Sequence, residues 1–300
     1  AVSWTLSWAL SWAANWAERF RDAVYKRLRP LRHEVVDAAY KPSRSRFDAV
    51  YKRLRPLRHE VVDAAQKSRR ATDRARGAAA AGAALPPRAL TIDMPKIGQA
   101  VVFLGRAGPT RMADDYFPTV VANNVLGGGY SARLNAEIRI KRGLSYGANS
   151  GLTGRKQPGP ITALAQTRND AVPQVVDLMV SEFARLGAEP IPATELAARK
   201  AVIIGGFGRS VETTAGLASQ YSALAQFGLP LEKLQTYSAD INAVTAEQAG
   251  AAAKAYYDPA NASLIVVGDA AQFWDQIKDK RAGMERLAVD KLNLDSATLK

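Results

Sequence analysis

The sequence predicts an α+β domain in which helices pack on one face of a mostly antiparallel sheet. Three observations carry that expectation. Two short strand candidates, residues 89–93 and 99–104, are split by Pro95 and Gly98 just after Pro86. Residues 146–153 and 161–167 flank the turn sequence GRKQPGP as the arms of a hairpin would. Apolar stripes of helical period then fill the chain up to a last strand candidate, residues 263–267.

In chain order, residues 1–20 place Trp4, Trp8, Trp12, Trp16 and Phe20 at a four-residue spacing, a drifting aromatic stripe on a helix. The stripe suits either a weakly helical extension or contact with a membrane interface. Its uncharged run ends at Ala17 and holds several polar residues, which is short and wet for a spanning helix. No basic region of a secretory signal precedes it, so the compartment stays open between a bacterial periplasm and cytoplasm. An identical repeat follows, DAVYKRLRPLRHEVVDAA, from Asp22 to Ala39 and again from Asp48 to Ala65. Pro30 and Pro56 interrupt each copy, and two copies are too few for a solenoid. An Ala/Gly-rich linker ends at Pro86-Pro87. The expected organisation is a basic, duplicated, poorly folded extension over 1–85, a domain over 86–270, and a C-terminal helix with a frayed tail over 271–300.

Within the domain, a helix is expected from about Asp115 to Leu126, with Asp114 or Asp115 as cap and Pro118 tolerated in the first turn. Ser131 opens a second apolar-periodic run through Leu134 and Ile138, and Gly143 closes it as a left-handed terminator. Leu144, Tyr146, Ala148 and Ser150 then alternate as a strand would. From Asp170 a clear stripe of Val172, Val175, Val176, Met179, Phe183 and Leu186 predicts a core helix that stops at Gly187. Thr194 can cap a helix to about Ile204; Gly205, Gly206 and Gly208 then read as a bend before Leu217, Tyr221, Leu224 and Phe227. No GxxxxGK[ST] accompanies that glycine trio, so a phosphate cradle is disfavoured. Two more helices, the second boxed by Thr245 and Gln248, lead to the turn at Asp258-Pro259-Ala260-Asn261.

Composition narrows the function. Cysteine is absent, which excludes disulfides and thiolate metal sites. The net charge of +13 resides in the front of the chain: residues 1–85 hold 18 Lys/Arg against 8 Asp/Glu, residues 86–300 hold 23 against 20. A nucleic-acid role for the globular part therefore has little electrostatic support. Both histidines, His33 and His59, lie in the repeat as HEVVD. A zinc peptidase motif needs a second imidazole one turn on, and here Asp37 or Asp63 stands there instead, so no metal site is expected in this chain.

The string LGGGYSARLNAEIRIKRGLSYGA, residues 126–148, resembles the insulinase/pitrilysin metallopeptidases, specifically the C-terminal, non-zinc domain of each two-domain half. The resemblance extends from about Pro86 to Ala270 and implies a pitrilysin/mitochondrial-processing-peptidase-like fold. It further implies that Arg142 and Tyr146 complete an active site whose zinc lies on a different domain. The glycine run Gly127, Gly128 and Gly129 is then a substrate-binding element. The chemistry fits: a tyrosine hydroxyl can donate to a developing oxyanion, and an arginine fork can hold a carbonyl. No HxxEH motif is present, so the resemblance implies the non-zinc half of a two-component peptidase, inactive alone. Its partner would be an HxxEH-bearing homologous subunit in a heterodimer, or further copies in a homo-oligomer, with a peptide substrate and the zinc on the partner. The alternatives are an inactive assembly subunit of the same fold and a truncated peptidase fragment. A bland role remains for each residue: Arg142 as a cation at a helix C-terminus, Tyr146 as a strand aromatic.

Overall fold

The computed structural model describes residues 86–296 and 299, so the expectations for residues 1–85, the Trp stripe, the repeat and both histidines among them, lie outside the described residues. The chain divides into two units, Leu85–Ile203 with Ile241–Lys300, and a second that includes Ile204–Asp240.

The first unit is built on a six-stranded sheet. Its strands are β1 (Ala89–Asp93), β2 (Ala100–Ala107), β3 (Ser145–Leu152), β4 (Pro160–Thr167), β5 (Ser263–Gly268) and β6 (Glu285–Ala288), in the spatial order β3-β4-β2-β5-β1-β6. The pairs β3/β4, β4/β2 and β2/β5 are antiparallel, whereas β5/β1 and β1/β6 are parallel. Alternation fixes the register of the centre. Val102 stands between Ala165 and Val266, and Leu104 between Ala163 and Leu264, all of them buried on one face. Helices α1 (Tyr116–Gly127) and α3 (Val172–Ala188) cover that face, and α7 (Ala246–Tyr256) packs on both of them. The opposite face is left half-exposed at Val101, Phe103, Ile265 and Val267.

The stripe expected on α3 is the core: Val172, Val175, Val176, Met179, Phe183 and Leu186 are all buried. Phe183 meets the ring of Tyr257 at 5.4 Å between centroids. The Tyr257 hydroxyl donates to Asn123 Oδ1 at 3.2 Å. Burial pushes that phenol far above its ordinary pKa, partly offset by the nearby charge of Arg106, so it stays a neutral donor. The capping box of Thr245 and Gln248 opens α7 as expected.

Elsewhere the local signals gave way to packing. Gly187 does not stop α3, which runs to Ala188; a Cβ there would stand 3.3 Å from the carbonyl oxygen of Ala253, so the glycine lets α3 and α7 approach closely. Gly205, Gly206 and Gly208 make no bend, because α4 (Ala193–Ser210) continues through all three. Asp115 stands at the start of α1 without capping it by its side chain; the carboxylate accepts from the Tyr256 hydroxyl at 2.8 Å. The tail expected to fray contains the short helix α8 (Trp274–Ile277) and then β6, whose Arg286 binds Asp93 at 2.7 Å. In the second unit, Thr213 caps α5 (Thr214–Phe227), Gly228 closes it at φ +73°, and Phe207 stacks on Tyr237 of α6 (Lys233–Ala243) at 4.3 Å. Among the described residues, no helix is long and apolar enough to cross a membrane.

Tyr257→Phe keeps the ring against Phe183 and strips Asn123 Oδ1 of its donor. Because a buried acceptor left unpaired is costly, the variant should lose about 1–3 kcal/mol of stability. Urea unfolding checks this as a lower midpoint at unchanged slope; an unchanged midpoint would mean the hydroxyl carries no weight.

Candidate active-site corner

Two turns of helix and one strand build the corner. The residues after α1 form α2 (Arg133–Asn135), which passes directly into a π-helical turn, Ala136–Ile140. Ser131 is not the cap: Ala132 holds that position, and the Ser131 carbonyl and hydroxyl accept from Arg199 instead. Gly143 takes the left-handed conformation, φ +64°, as the sequence predicts. The chain then enters β3 through a bulge between Ser145 and Ala148, where the Ser145 side chain bonds both N and O of Gly147. The bulge overturns the expected alternation. Ala148 points into the core while Tyr146 stands out at 89% exposure.

Arg142 and Tyr146 have different neighbours. Arg142 folds back along its own helix, its Nη1 donating to the Glu137 carbonyl at 2.9 Å and to the Glu137 carboxylate at 2.5 Å. Lys141 binds the other oxygen of the same carboxylate. Bonds from Lys141, then Arg142, hold the Glu137 carboxyl below its ordinary pKa, so this contribution to stability is full above the usual carboxylate range and is lost as pH falls through the lowered value. Against Tyr146 stands a different guanidinium, that of Arg139, 4.7 Å from the ring centroid and also 5.0 Å from the ring of Tyr130. Sequence reasoning passed over both Arg139 and Tyr130. Their sequence signal is only that each flanks the apolar run, and the π-turn breaks the ordinary helical spacing by which they would have been placed together.

One buried side chain ties these parts. Asn135, 4% exposed, donates to the carbonyl of Tyr130 at 2.6 Å and accepts from the amide of Ala148 at 3.2 Å. It thereby fixes the loop that bears Tyr130 to the strand that bears Tyr146. Of the glycine run, Gly127 is buried where α1 meets β3; a Cβ would lie 2.3 Å from the amide nitrogen of Ser150. Gly128 has the Asn124 side chain in that space, whereas Gly129 has no atom nearer than Arg199 Nη1 at 3.8 Å. Gly127 is thus a packing glycine, and Gly129 faces open space. Among the described residues no three His, Asp or Glu side chains gather as metal ligands.

Residues 78–203, which include this corner, match the family described as the peptidase M16 inactive domain. Over that stretch the chain is similar to a peptidase M16 inactive domain. The solved peptidase M16 inactive domain from Pseudomonas fluorescens superposes with a TM-score of 0.56 at 29% identity, covering 61% of this chain and 44% of that one. A protease from Helicobacter pylori shares the fold, with a TM-score of 0.53 at 16% identity over 68% of this chain and 52% of its own. In sequence, the uncharacterized zinc protease YmxG of Bacillus subtilis is 29% identical over 148 residues, 49% of this chain and 36% of the relative. An uncharacterized zinc protease of Streptomyces coelicolor is 30% identical over 125 residues, 42% of this chain and 27% of its own. The match therefore spans about a third of each relative's length. Each of these proteins extends beyond the matched part.

Within this stretch, Gly127→Ala should force α1 away from β3 and cost about 1–3 kcal/mol, the range for overpacking a filled site. Gly129→Ala should leave the unfolding midpoint unchanged. Equal effects at the two positions would show that the run acts as a unit and not through the contact at Ser150.

Proposed function

We propose that this inactive domain serves as the non-zinc half of a two-component M16 peptidase, lending a tyrosine hydroxyl and a peptide-holding surface to a zinc-bearing HxxEH subunit. The single observation that carries the reading is Tyr146: an aromatic side chain 89% exposed, gripped from one side by Arg139, with its hydroxyl free to reach a bound carbonyl. An oxygen that gains negative charge as a peptide bond is attacked is stabilised most by donors already in place. Arg139 keeps the ring in position and adds positive charge beside that oxygen. Arg142, proposed from the sequence for this role, is better suited to holding the helix end, since its Nη1 is engaged by Glu137. Peptide contact by the glycine run would fall to Gly128 and Gly129, because Gly127 is buried. The partner is a homologous subunit of the same family, and the zinc is its own.

Co-purification with an HxxEH homologue, followed by peptidase assay with and without this chain, tests the pairing. In the reconstituted complex Tyr146→Phe should lose about a hundredfold in turnover, the scale of deleting one oxyanion donor, with assembly unchanged. Arg139→Lys removes the planar fork and should lower turnover as well, while Arg142→Lys keeps a cation at the helix end and should stay active. Full activity of Tyr146→Phe would make this chain an assembly subunit. Loss confined to Arg142→Lys would return the role to Arg142.

A further inference from the structure

Beneath the bend at Gly129 to Ser131, two guanidinium groups are buried and only one of them has a carboxylate partner. Arg133, 7% exposed, donates from Nε at 3.1 Å and from Nη2 at 2.8 Å to the two oxygens of Glu195. That pair is balanced in charge, although Arg133 Nη1 has no acceptor. Arg199, four residues further along α4 and 6% exposed, has no carboxylate partner among the described residues. Its Nη2 donates to the Ser131 carbonyl at 2.6 Å and hydroxyl at 3.2 Å, and its Nε has no acceptor. A buried guanidinium with only neutral acceptors keeps an uncompensated charge, which an anion would relieve. The bend leaves room for one. A side chain on Gly129 would meet nothing closer than Arg199 Nη1, at 3.8 Å, and Tyr130 and Ser131 on either side of that space are exposed.

We infer that Arg199 and the Gly129 bend form a subsite for a carboxylate of the bound peptide, either an acidic side chain or the C-terminus. The peptide as its source rests on the proposed function; the anion site itself does not. The subsite adjoins the corner through Tyr130, whose ring lies against the same Arg139 that grips Tyr146. It would therefore select an acidic group near the bond being cleaved.

The test uses the full chain and three probes at constant ionic strength: N-acetylglutamate α-amide with a side-chain carboxylate, N-acetylglutamine with a terminal one, and the neutral N-acetylglutamine amide. At least one carboxylate probe should produce saturable NMR shifts at the amides of Gly129 and Ser131, with none from the neutral probe, and the responding probe identifies the source. Arg199→Gln should abolish the shifts. Gly129→Leu should do so too while sparing Arg199 and its bond to Ser131, which separates loss of the site from loss of fold. No saturable shift with either carboxylate, or shifts that persist in both variants, would overturn the site. In the reconstituted peptidase, a peptide bearing glutamate should be favoured about tenfold over its glutamine twin, as expected for one charge-assisted contact, and Gly129→Leu should erase that preference. Saturable probe binding without any dependence of peptidase activity on this chain would sink the proposed function and leave the anion site standing.

Discussion

An edge strand presents backbone N–H and C=O groups with no neighbouring strand to receive them, and β3 is such an edge. Side chains from the covering helices fill that need. Asn135 accepts from the amide of Ala148, Asn123 donates to the carbonyl of Ser150 at 3.4 Å, and the Ser150 hydroxyl donates back to the Asn123 carbonyl at 3.0 Å. The arrangement demands that α1 lie almost on the strand backbone, and Gly127 permits it. Asn123 in turn takes its bond from Tyr257, so the closure of the edge reaches through the core to α3 and α7. The first residues of β3 escape this cover, and Tyr146 is among them.

Elements set by a single periodicity were legible in the sequence. The strands β2, β4 and β5 alternate cleanly, and α3 carries an uninterrupted apolar stripe, because each buries one face against a neighbour of fixed spacing. What escaped was decided by contact between distant segments. Gly187 has the signature of a stop but answers to Ala253, and the glycines after Ile204 sit within a helix whose continuation their propensity opposes. The parallel strand β6 is four residues long and pairs with β1 across nearly two hundred positions, which no local pattern encodes.

The corner was half legible for the same reason. Gly143 states its left-handed conformation in its identity, but the bulge after Ser145 turns Tyr146 outward, off the face that its alternation with Ala148 predicts. Which arginine meets the Tyr146 ring could not be read by counting. Arg142 is nearer in sequence, but the π-turn sets Glu137 beneath it, with Lys141 on the other oxygen, and this exposed pair is worth at most about 1 kcal/mol to the fold. Arg139 comes to the tyrosine only because Gly143 reverses the chain and the bulge turns residue 146 outward.

Two tyrosines define the contrast between holding the fold and offering a surface. Tyr257 is wholly buried, tilted against the Phe183 ring, and spends its hydroxyl on Asn123. Tyr146 has nearly all of its surface in water, and its one described ring contact, a guanidinium at 4.7 Å, is worth about 0.5–1 kcal/mol at such a site. So small a gain does not account for ordering Arg139 between two exposed rings, each immobilised side chain carrying an entropic penalty of similar size. Stability leaves the arrangement unexplained, whereas the role proposed for Tyr146, a hydroxyl held ready for a carbonyl arriving from outside, would account for it.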